Sequence, residues 1–111
     1  GPELVAPDPD APTVPGALVA LAAVPIGGAV VVTGATGGPV VVSRTGQDAV
    51  VGLTGICTHQ GCTVAPAGEE LVCPCHQSVF DPATGENLEG PATEPLATID
   101  LRLEDGQVYE A

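Results

Sequence analysis

The chain has 111 residues, with fourteen acidic side chains set against Arg44 and Arg102, no lysine, and a formal charge of -12. Such a field repels phosphate backbones and anionic lipid surfaces, which excludes nucleic acid as a partner. The length suits one domain with a modest core, and with one Tyr, one Phe and no Trp that core must be built from Val, Leu, Ile and Ala.

In chain order, residues 1–16 (GPELVAPDPDAPTVPG) carry five prolines without periodicity and are expected to form a flexible N-terminal arm. The opening Gly-Pro and the absence of Met suggest a tag scar and a longer natural chain, with a signal or anchor upstream. The apolar run ALVALAAV at 17–24 falls far short of the roughly 20 residues of a membrane span, so no span is expected in this chain. Short runs then follow, LVALAAV, AVVVTG, PVVVSRT, AVVGLTGI and ELVCP, separated by PIGG, TGATGGP, TGQD and PAGE. Their β-branched content and turn punctuation predict strands. Ala97, Ile99, Leu101 and Leu103 alternate with Thr98, Asp100 and Arg102, the period of a half-buried strand, and EDGQ supplies an Asp-Gly hairpin into QVYE. No helical period persists over three turns. The prediction is an all-β antiparallel sandwich or barrel over residues 17–111, without internal repeats.

Chemistry concentrates in two short stretches, CTHQGC at 57–62 and CPCHQS at 73–78, which hold every Cys and His of the chain. Between Cys57 and Phe80 the only charged side chains are Glu69 and Glu70. Three accounts compete. Two disulfides would staple a small domain but leave both histidines unexplained. A structural zinc site, in a redox-inert binding module, would use Cys and neutral His, although its spacing usually begins with two cysteines and two would be left over. A two-iron, two-sulfur cluster held by two Cys and two His takes one of each from either loop and leaves one cysteine per loop to pair. Cys-His nucleophilic chemistry would need a free thiolate beside a base. The TGATGGP glycines read as turns, and Asp81, Glu86 and Glu89 as a solvated turn rather than paired catalytic carboxylates.

The two stretches resemble the cluster-binding loops of the Rieske iron-sulfur family, and GPA at Gly90 to Ala92 is similar to the proline loop that covers the cluster there. The resemblance spans residues 17–111 and implies a cluster-binding subdomain of two loops over about 55–92. It implies one [2Fe-2S] cluster per chain, with Cys57 and Cys73 on one iron, His59 and His76 on the other, and a disulfide between Cys62 and Cys75. Gly90 and Pro91 would belong to the proline loop. The extra cysteine pair is similar to the cytochrome bc type, and a disulfide argues for an oxidising, extracytoplasmic location. Neutral imidazoles on one iron imply a high reduction potential, with reduction coupled to proton uptake at alkaline pH. Ser78 matches a family hydroxyl that bonds a bridging sulfide. Phe80 stands where a Tyr commonly bonds a ligand thiolate, implying a lower potential, and also reads simply as a core aromatic. Gln60 and Gln77 stand where quinol-oxidising members carry an apolar residue and Gly. A polar tip suits a soluble or anchored one-electron carrier, or a small subunit of a larger oxidoreductase, with a redox protein such as a basic c-type cytochrome as partner.

Overall fold

The computed structural model describes residues 13–35, 37–56, 62–67, 70–75, 77–90 and 94–111. Its strands are β1 (Val19–Ala20), β2 (Ala29–Thr33), β3 (Pro39–Gly46), β4 (Ala49–Thr54), β5 (Ala65–Ala67), β6 (Glu70–Val72), β7 (Val79–Phe80), β8 (Asn87–Glu89), β9 (Thr98–Ile99), β10 (Leu101–Glu104) and β11 (Gln107–Glu110). They form three antiparallel sheets in the orders β1-β11-β10, β2-β3-β4-β9 and β5-β6-β7-β8. The all-β expectation holds, and the strands of the third sheet lie between residues 65 and 89.

β3 explains how the layers are joined. Its run of valines places Val41 in one apolar cluster with Leu53, Val64, Leu71, Cys73, Phe80 and Leu96. Val40 and Val42 belong to a second cluster with Val19, Leu21, Val24 and Val108. Successive side chains of a strand point to opposite faces, so one strand supplies both cores and its sequence reads as continuous rather than alternating. The first cluster lies under the Cys loops, because Cys73 belongs to it and Cys62 packs against it.

Two expected strands are interrupted. The run LVALAAV pairs only at Val19 and Ala20, and Leu21–Ala23 turns into a 3₁₀ segment. The carbonyls of Leu21 and Val24 accept hydrogen bonds of 3.3 and 3.2 Å from Nη1 of Arg44, a tertiary demand that local propensity does not carry. The alternating segment at 97–103 splits at Asp100: β9 pairs with β4 and β10 with β11, so the chain changes sheets there. Gly52 of β4 permits the crossing, since a side chain there would collide with the Ile99 carbonyl and the Leu101 side chain. The expected hairpin forms. Asp105 and Gly106 have φ of 49° and 76°, both left-handed as a type I′ turn requires, and Glu104 faces Gln107.

Candidate metal centre

Each Cys/His stretch is six residues long and closed at its base by an antiparallel pair. For the first, Ile56 bridges Thr63, and the Val64 N–H donates to the Gly55 carbonyl at 2.8 Å. For the second, Val72 pairs with Val79, and the Cys73 N–H donates to the Ser78 carbonyl at 2.8 Å. The Gln77 N–H then donates to the Cys73 carbonyl at 2.9 Å, turning the chain sharply inside that loop. Gln77 has φ 63°, a left-handed conformation that costs a side-chain-bearing residue about 1 kcal/mol and glycine almost nothing. Glycine would hold this conformation without that cost.

A disulfide between Cys62 and Cys75 ties the end of the first loop to the middle of the second, with their Cα atoms 6.5 Å apart. The pairing implied by the resemblance is therefore present. Cys73 is the free cysteine among the described residues, 1% exposed, and its Sγ lies with those of Cys62 and Cys75 inside a group no more than 4.8 Å across. Because the disulfide consumes two of these sulfurs, the group offers one thiolate ligand and not three. Cys57, His59, His76 and Pro91 lie outside the described residues, as do Gln60 and residues 1–12 of the expected arm.

Ser78 and Phe80 are both completely buried, and Phe80 shares the apolar cluster of Cys73. Gly90 rests on Ser78: with φ 96°, an ideal Cβ at this position would overlap the Ser78 Cα and lie 2.9 Å from its N and 3.0 Å from its Oγ. The segment entering the GPA stretch thus packs directly on the backbone of the second loop. Sequence reasoning placed Gly90 in the proline loop but missed this contact, which only its left-handed φ and the absence of a side chain permit. Downstream, Asp81 caps its own turn, its Oδ1 accepting from the Ala83 N–H at 2.7 Å, while Glu86 and Glu89 are exposed.

Two stretches each closed by an antiparallel pair, a disulfide clamp between Cys62 and Cys75 and a buried thiol within 4.8 Å of that clamp suit a metal group held from both stretches. Comparison with known proteins decides which group. A sequence profile of the Rieske [2Fe-2S] domain matches residues 17–100. The chain belongs to the Rieske [2Fe-2S] domain family. Its group is accordingly a [2Fe-2S] cluster rather than zinc, and its chemistry is one-electron transfer. Among curated relatives, a cytochrome b6-f complex iron-sulfur subunit of Synechococcus sp. (strain WH7803) is 37% identical over 89 residues, covering 77% of this chain and 49% of that protein. The chain therefore spans about half the length of the curated relatives it matches. Among solved structures, the plasma membrane Rieske protein PetC3 of Synechocystis PCC 6803 superposes with a TM-score of 0.65 at 30% identity, over 76% of this chain and 86% of that one. The Sphingomonas yanoikuyae B1 ferredoxin gives 0.68 at 28% identity, over 85% and 94%.

Proposed function

We propose that this Rieske domain is an extracytoplasmic one-electron carrier whose cluster is held by Cys57 and Cys73 on one iron and by His59 and His76 on the other. The observation that carries the reading is the Cys62–Cys75 disulfide, which leaves one cysteine and one histidine in each loop as donors. The residues fit the group: Cys73 keeps its thiol, it is buried where water is excluded, and the clamp holds the two donor loops together. When bound, the cluster supplies a one-electron couple at a higher potential than all-cysteine ligation would give.

The remaining work is done by the polypeptide. The apolar cluster around Cys73 keeps the ligand thiolate out of water, and Ser78, buried in the second loop, is the residue whose hydroxyl would donate to the group by the family resemblance. The disulfide and the β-pairs at the loop bases limit how far the loops can separate, so little reorganisation accompanies a change of charge.

As partner we propose a redox protein with a basic docking face, such as a c-type cytochrome or a subunit of a larger oxidoreductase complex of the kind named for the cytochrome b6-f relatives. Charge favours this choice. The chain carries -12, and both its cations are engaged internally, Arg44 by backbone carbonyls and Arg102 by Glu104 and the Tyr109 ring. No helix among the described residues is long and apolar enough to cross a membrane.

The test is a redox titration of protein assayed for iron and acid-labile sulfide. Two irons and two sulfides per chain with a one-electron wave support the reading, and zinc without colour defeats it. Phe80→Tyr tests the tuning: a hydroxyl donor toward a ligand thiolate stabilises the more negative reduced form. At about 1 kcal/mol for one net hydrogen bond, the midpoint is expected to rise by about 40 mV. An unchanged midpoint would mean that the ring's far edge faces the core alone.

A further inference from the structure

Cys73 has a neighbour that electron transfer does not use. Its sulfur sits within 4.8 Å of both sulfurs of the Cys62–Cys75 disulfide. We propose that in the cluster-free chain Cys73 exchanges with this disulfide, forming Cys62–Cys73 and releasing Cys75, so that loss of the cluster becomes a locked state that cannot rebind it. The inference rests on the reading of Cys73 as a cluster ligand, since ligation is what holds its sulfur back.

The step needs no outside oxidant or reductant. The Cys73 thiolate attacks Sγ of Cys62, the Cys62–Cys75 bond breaks as the Cys62–Cys73 bond forms, and the electron pair leaves on Sγ of Cys75, which then takes up a proton. Three observations favour this direction. Cys75 is exposed whereas Cys73 is 1% exposed, so exchange moves the free S–H group from an apolar cluster to the surface, where water can hydrogen-bond it, and leaves a disulfide sulfur in its place. The cross-linked separation changes only from 13 residues to 11 (73 minus 62), so chain entropy scarcely opposes it. Attack on Cys75 instead would join Cys73 to a cysteine only two residues away across Pro74, whose ring restricts the backbone such a small loop must bend.

The experiment starts from the full chain with its cluster bound. One portion is denatured in acid and its thiols are trapped with N-ethylmaleimide at once. A second is stripped of iron by a chelator under argon without added thiol, held at pH 8, and then trapped in the same way. Tandem mass spectrometry then reads which cysteines are labelled and which are cross-linked. The expected result is a transfer of label from Cys73 to Cys75 with loss of the Cys62–Cys75 cross-link, and prior reduction with dithiothreitol leaves all four cysteines labelled. A Cys57→Ser chain, free of cluster from the outset and left with one thiol, is expected to carry its label on Cys75. Persistence of Cys62–Cys75 with label on Cys73 after stripping overturns the exchange alone. A Cys62–Cys73 cross-link already present at full iron occupancy overturns the ligand reading. Cys57 appearing in disulfides as often as Cys73 overturns the proposal as well, because an opened chain would scramble that way.

Discussion

Gly90→Ala is expected to destabilise the domain by about 3 kcal/mol and to shorten cluster lifetime at least tenfold. Two costs add. A left-handed φ of 96° disfavours any side chain by about 1–2 kcal/mol, and a Cβ here would overlap backbone of Ser78 rather than the far end of a flexible side chain. Overpacking of that kind costs about 1–3 kcal/mol because something must move. What moves is the contact between the residue before Pro91 and the second ligand loop, next to the Val79–Glu89 pair that holds β7 to β8. Thermal unfolding monitored by circular dichroism, with bleaching of the visible spectrum under chelator, reads both effects. An alanine variant that melts with wild type and holds its cluster as long would show that Gly90 does not rest on Ser78.

Arg44→Met is expected to cost about 3 kcal/mol, which for a domain of this length lowers the melting temperature by roughly 13 °C. Arg44 is 6% exposed, and its guanidinium is surrounded by carbonyls rather than carboxylates. It donates to Leu21 and Val24 through Nη1, to Gly46 through Nε at 3.2 Å and to Gln47 through Nη2 at 2.7 Å. Replacing a buried ion pair with apolar residues is often harmless, because both charged partners leave together. Here the partners are backbone and stay behind, so up to four acceptors lose a donor at about 1–3 kcal/mol for each one left unsatisfied. Arg44→Lys is expected to recover only part of the loss, since one ammonium cannot span carbonyls on the 3₁₀ segment and on the β3–β4 turn together. Full stability in the methionine variant would remove Arg44 from the account.

Those two residues also mark where the sequence stops being legible. The valine-rich strands β2, β3 and β4 and the Asp105-Gly106 turn could be read directly, because their residues prefer locally what the fold imposes globally. The strands β5, β7 and β8 could not. APA, VF and NLE are too short to show a period, and they become strands only by pairing with β6 or with each other. Arg44 reads as an ordinary cation within a strand, and nothing local shows that four carbonyls converge on it. At the site the position is reversed. Two six-residue stretches holding every cysteine and histidine announce the chemistry without any structure. What the sequence could not show was physical support: the closure of each loop at its base, the burial of Cys73 among aliphatic side chains, and the seat of Gly90 on Ser78.

The central claim is that one iron is bound by nitrogen from both histidines. The chain contains only two histidines, so labelling them needs no assignment. Pulsed EPR of the reduced protein grown with 15N-histidine is expected to show two strongly coupled nitrogens, both replaced by the label. Coupling to a single labelled nitrogen, or to none, would contradict the ligand set proposed for His59 and His76.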